Sequence, residues 1–143
     1  NIWSRLGING VDKFSNRLIL QKKIFLLQES GLDMGYDFRK YIYGPYCSQL
    51  TADAFKVEIR NNSEVKGESE KKAFEKLSYL EKGHENDSAW FELLGTIVYL
   101  RNKNGKNKEE IKKIILDEKP YLYDETLFEE AYKKLVDSKI INE

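Results

Sequence analysis

The chain has a single cysteine, Cys47, and only two prolines among its 143 residues. One thiol cannot close an internal disulfide, so the fold must rest on its core, and a reducing, cytoplasmic compartment is expected. No run approaches the roughly 18 apolar residues of a membrane span, and no charged-then-apolar leader precedes a small-residue cleavage site. A basic excess is missing too, since 24 Lys and Arg face 24 Asp and Glu. Duplex-binding proteins draw much of their affinity from phosphate neutralisation, so this balance disfavours nucleic acid as a partner. The balance hides a mild asymmetry. Residues 1–60 carry nine basic against six acidic residues, and the remainder fifteen against eighteen.

The motifs of common chemistries are also missing. Neither a G-x-G-x-x-G nor a G-x-x-x-x-G-K loop is present to cradle phosphate, and no serine stands in a G-x-S-x-G turn. The lone His84 lies in the polar stretch "EKGHENDS", where no second ligand at helical spacing supports a metal site. Cys47 has no histidine nearer in sequence, so a Cys47–His84 hydrolase has no supporting constellation and a half-buried thiol is the simpler reading. The expectation is a chain with no catalytic residue, metal or cofactor.

What remains is ordinary globular material, 41% hydrophobic and 13% aromatic, which excludes wholesale disorder. "SNRLILQKKIFLLQES" predicts a helix over 15–30, capped by Ser15 or Asn16, striped by Leu20, Ile24 and Leu27, and ended at Gly31. Leu18 and Phe25 widen the stripe, which predicts a central helix. "YDFRKYIYG" alternates bulky and polar residues and reads as a short extended segment. Pro45, with φ preset and no N–H, is expected to open the next helix, whose Leu50, Ala54 and Val57 face the core with Phe55 beside them.

"NNSEVKGESEK" is polar and reads as a linker over 61–70, followed by a helix over 69–82 with Phe74, Leu77 and Leu80 inward. Three more helices close the chain, capped by Asp87 or Ser88, by Asn107 and by Asp124. Their inward residues are Trp90, Leu94, Ile97 and Val98, then Ile111, Ile114 and Ile115, then Leu127, Phe128, Ala131 and Leu135. The fold class expected is mainly α: a compact helical domain with one short extended segment and a C-terminal three-helix unit of winged-helix-like order. Residues 1–60 form its N-terminal part and 71–143 its C-terminal part.

Two surfaces are candidates for function. Tyr36, Arg39, Tyr41, Tyr43 and Tyr46 ring the Gly44-Pro45 pair, and exposed tyrosines make good partner anchors. The alternation of the segment equally allows every second ring to point into the core. A winged-helix nucleic-acid binder would use Lys22, Lys23, Arg39, Lys40, Lys56 and Arg60 instead. Against it, the last helix opens with Asp124, Glu125, Glu129 and Glu130, which would meet phosphate with like charge.

Three stretches carry a family resemblance: "LQKKIFLLQ", the aromatic run "YDFRKYIYGPYCSQL", and the tail from "WFELLGTIVYLRNKNG" to "KLVDSKII". In these the chain resembles the YwgA-type proteins and, more distantly, the SocA-like antitoxin domain also called Panacea. The resemblance implies a mostly helical, non-enzymatic protein. It further implies a protein partner (a toxin, a protease or a defence component) in a phage-derived or mobile setting.

Overall fold

The computed structural model describes residues 5–56 and 67–142. Trp3, Val57, Arg60 and most of the expected linker lie outside the described residues. Those described form a mainly α fold of six α-helices: α1 (Phe14–Glu29), α2 (Ser48–Phe55), α3 (Glu68–Glu81), α4 (Ser88–Val98), α5 (Lys108–Glu118) and α6 (Glu125–Asp137).

Helix α1 is the axis of the molecule. Every residue from Leu18 to Leu27 is buried, including Gln21, Lys22 and Lys23. A helix that is apolar on all sides belongs inside a fold, and here it takes its few polar residues in with it. Its N-cap is Lys13, which makes no side-chain capping bond, so Ser15 and Asn16 stand inside the helix rather than before it.

The segment after α1 is extended, as its alternation predicts: Leu32, Met34, Tyr36 and Phe38 are buried, while Asp33, Asp37 and Arg39 are exposed. Its polar backbone groups need partners, and a helix side chain supplies them. Gln28 Oε1 accepts from Met34 N (3.2 Å) and Tyr36 N (2.9 Å), and Gln28 Nε2 donates to the Tyr36 carbonyl (3.0 Å). The β-pairing seen among the described residues is a bridge between Arg39 and Tyr46, bonded both ways at 2.9 Å.

That bridge corrects the expected role of Pro45. Gly44 adopts φ +95° and turns the chain back, so Pro45 sits in the reversal and α2 begins only at Ser48. A β-carbon at Gly44 would be strained by that φ and would crowd Lys22 Cε at 3.1 Å.

The closing helices start where their caps predict. Asp87 accepts from Trp90 N, Asn107 forms a reciprocal capping box with Glu110, and Asp124 accepts from Leu127 N. Helix α4 is buried from Trp90 to Val98 and continues as a π-helical turn over Tyr99–Lys103. It packs most extensively on α1; α6 packs on α4, and α3 lies against both α1 and α6. The closing helices therefore share their core with the N-terminal part, in one apolar cluster running from Leu6 to Ile141. Two expected core residues face outward instead, Phe55 at 57% and Leu127 at 39% exposure. In α6 the neighbouring Phe128 takes the inward place.

Candidate functional site

The chain reversal over residues 39–47 is held from beneath by side chains from three distant parts of the sequence. Gln21 Oε1 accepts from Cys47 N (2.8 Å), while Gln21 Nε2 donates to the Cys47 carbonyl (2.9 Å) and to Thr51 Oγ1 (2.7 Å). One residue further along α1, Lys22 Nζ donates to the Pro45 carbonyl at 3.0 Å. Lys119, at the end of α5, donates to the Ile42 carbonyl and forms a buried ion pair with Glu92 of α4 at 2.8 Å. Tyr121 Oη donates to the same Glu92 oxygen at 2.7 Å.

Space under the reversal is tight. A β-carbon at Gly95 of α4 would lie 3.2 Å from the Pro45 ring and 3.4 Å from Lys22 Cγ. Two glycines, Gly44 on the loop and Gly95 on the helix, thus let backbone and ring approach closely. Burial pushes the Lys22 ammonium down to about 7; Glu92 opposes that shift and Lys119 adds to it. Tyr121 shifts the other way, above its ordinary value, through desolvation of its hydroxyl end and its hydrogen bond to Glu92.

The outer side of the same reversal is apolar and exposed. Ile42 stands at its crest with 69% of its surface exposed, beside Tyr41 at 43%. Tyr41 packs on Tyr46 at 4.8 Å and on Tyr43 at 6.2 Å, and Phe14 meets Tyr43 edge-on at 5.4 Å. The Arg17 guanidinium lies 5.5 Å from the Phe14 ring and 6.0 Å from that of Phe55. The exposed Tyr121 is tied to the same corner through Glu92. Most of the exposed large hydrophobic side chains, namely Phe14, Tyr41, Ile42, Phe55 and Tyr121, therefore gather here.

Of the residues singled out in the sequence, Tyr41, Tyr43 and Tyr46 come together on this surface. Tyr36 does not: it is buried, and its hydroxyl donates to Asp53 at 2.8 Å. Arg39 is exposed but bound to its neighbour Asp37 at 2.7 Å, and Lys40 pairs with Glu118 at 3.3 Å. Lys22 and Lys23 are corrected from surface cations to interior ones: Lys23 donates to the Leu6 carbonyl and pairs with Glu81 at 2.8 Å. Lys56 is exposed, and Arg60 lies outside the described residues. The basic set thus converges on no single face. Phe14, Arg17 and Ile42 escaped the sequence reading. An isoleucine between two tyrosines in a turn was the available signal, because a turn offers it nothing to pack beneath.

Beside Tyr41 runs a narrow crevice with room for little more than one water-sized group. Pro45, Tyr99, Leu100, Ile114 and Ile115 form its apolar walls, and Lys40 and Glu118 also line it. Thr96 contributes a buried hydroxyl with no hydrogen-bond partner. His84 lies elsewhere, stacked on Trp90 at 3.7 Å and paired with Glu130 at 2.8 Å, whereas the Cys47 backbone is bound to Gln21. Among the described residues, no group of three or more His, Cys, Asp and Glu side chains is placed to hold a metal ion, and no helix is long and apolar enough to cross a membrane. Comparison with known proteins finds no matching family model, no matching curated protein and no matching solved structure.

Proposed function

We propose that the chain is a non-enzymatic protein-interaction module of a reducing compartment, and that its contact surface is the aromatic corner over residues 39–47 with Phe14, Phe55 and Tyr121. The gathering of exposed apolar side chains on a corner fixed from within carries this reading. Contiguous exposed apolar patches rimmed by polar groups mark interaction sites, and a loop held rigid before binding loses less entropy when a partner docks. An antitoxin-like or defence-associated role, with a toxin, protease or other defence component as companion, follows from the family resemblance alone.

Purification of the tagged protein from its native host in mild salt, followed by mass spectrometry and an absorbance ratio, tests it. A stoichiometric protein companion lost on Tyr43→Ala, with the melting temperature little changed, is the expected result. Salt-released nucleic acid and no companion would favour the winged-helix alternative instead.

A further inference from the structure

Resting on the docking surface above, the geometry points to the chemistry of what docks there. We propose that the partner contributes a short extended segment, which sets a carboxylate on Arg17 and an apolar side chain against the exposed Tyr41 and Ile42.

The charge of the corner is the first argument. Of its exposed acids, Asp37 is paired with Arg39 and Glu118 with Lys40, while Asp12 has no ion pair among the described residues. Around Phe14 and Phe55 three uncompensated cations, Lys13, Arg17 and Lys56, outnumber that one acid. Arg17 Nη1 donates only to the carbonyls of Val11 and Asp12, and among the described residues its Nε and Nη2 groups have no acceptor. Those two donors form the fork that a carboxylate fits bidentately. Lys13 and Lys56, the chain neighbours of Phe14 and Phe55, are exposed and without an ion pair among the described residues.

The exposed crest is the second argument. Ile42 is 69% and Tyr41 43% exposed, and the Tyr41 ring is held in place against Tyr46. An apolar side chain laid on them removes this surface from water, at roughly 25 cal/mol per Å2.

Reach supplies the third. The steps from Arg17 to Phe14, Phe14 to Tyr43 and Tyr43 to Tyr41 are 5.5, 5.4 and 6.2 Å. The Arg17-to-Tyr41 span is therefore at most about 17 Å, which about five extended residues cover at roughly 3.4 Å each. The acid and the apolar anchor accordingly sit within about five positions of one another. Single-stranded nucleic acid fits less well, because the rings already spend faces and edges on each other and the uncompensated cations are few.

Selection of a random 12-residue peptide library on the immobilised full chain tests the proposal, with synthetic copies of enriched peptides measured by fluorescence anisotropy. The expected peptides carry Asp or Glu within five positions of Leu, Ile, Met or Phe. Their affinity should fall several-fold between 50 and 300 mM salt, fall about tenfold on Arg17→Gln, and stay unchanged on Leu116→Ser. Should Arg17→Gln unfold the chain, the salt series on the unaltered protein decides, and indifference to salt overturns the proposal. Enriched peptides that lose binding on Ile42→Asp yet carry no acid would overturn the partner chemistry while leaving the docking surface standing. Binding indifferent to Ile42→Asp would sink the docking surface itself. Failure to enrich any peptide, preferential binding of a labelled 20-mer of thymidine, or dimerisation through this face in sedimentation would each overturn the segment.

Discussion

The aromatic corner and the α5–α6 face are both rich in charge, and they treat it in opposite ways. On the α5–α6 face acids meet cations across the helix pair, Lys108 with Glu129 at 2.6 Å and Lys112 with Glu125 at 3.0 Å, and within α6, Lys134 with Glu130 at 3.6 Å. Tyr123 and Lys112 on Glu125, Lys108 and Lys112 on Glu129, and His84 with Lys134 on Glu130 hold these carboxyls below their ordinary range. Most of the charge on that face is paired at its surface. At the corner the charge is instead split by depth, with Glu92, Lys119 and Lys22 sealed beneath the loop and Arg17 left over above it. Exposed ion pairs of the first kind contribute little to stability, whereas a buried cluster punishes any single deletion.

The sharpest way to break this contrast is Glu92→Ala, which strands Lys119, Tyr121 and the buried Lys22 without their acid. A loss of about 3–5 kcal/mol is expected from urea denaturation, the range for one partner of a buried pair. Replacing both Glu92 and Lys119 with leucine should cost less than the single change. A double variant as unstable as Glu92→Ala would mean that loop support, not unpaired charge, sets the cost.

Acidity offers a second, smaller test. Lys22 has a pKa of about 7 in the folded chain against 10.5 in the unfolded one. Between those values the unfolded state binds the extra proton, so stability rises as pH climbs from about 7 towards 10.5. At roughly 1.4 kcal/mol per unit, the gain from pH 7 to pH 9 should be on the order of 2 kcal/mol, and Lys22→Met should abolish that part of the slope. Urea midpoints for both chains at the two pH values measure it, and parallel slopes would show that Lys22 keeps its charge.

Lys112→Ala on the α5–α6 face marks the small end. It removes contacts to Glu125 and Glu129, yet the urea midpoint is expected to shift little, because solvent screens exposed pairs. A loss comparable to that of Glu92→Ala would erase the distinction between the two regions.

Local signals made the helices legible. Asp87, Asn107 and Asp124 cap where their chemistry places them, and the α1 and α3 periodicities locate both helices to within a residue at either end. Long-range partners were not legible. Gln21, Lys22 and Lys23 read as the polar side of a helix, yet from Leu18 to Leu27 they are its only polar residues, and an apolar surround on every side takes them inward. Pro45 reads as a helix opener because nothing nearby in sequence announces Arg39 pairing back to Tyr46. The rings of Tyr41, Tyr43 and Tyr46 face outward while Tyr36 and Phe38 face in. Alternation fixes the first four positions of that run, Tyr36 to Arg39, and it ends at the exposed Lys40, where the chain enters the reversal.

The supports of the corner are residues 21, 22, 92 and 119, which stand side by side only once α1, α4 and the end of α5 have assembled. An unfolded chain therefore cannot display this surface. Any companion that recognises it binds the folded state selectively, and by mass action adds about 2.7 kcal/mol to folding at one hundred times its dissociation constant. Recognition and folding would thereby be coupled: such a companion would report correct assembly, and its absence would leave this chain more open to proteolysis.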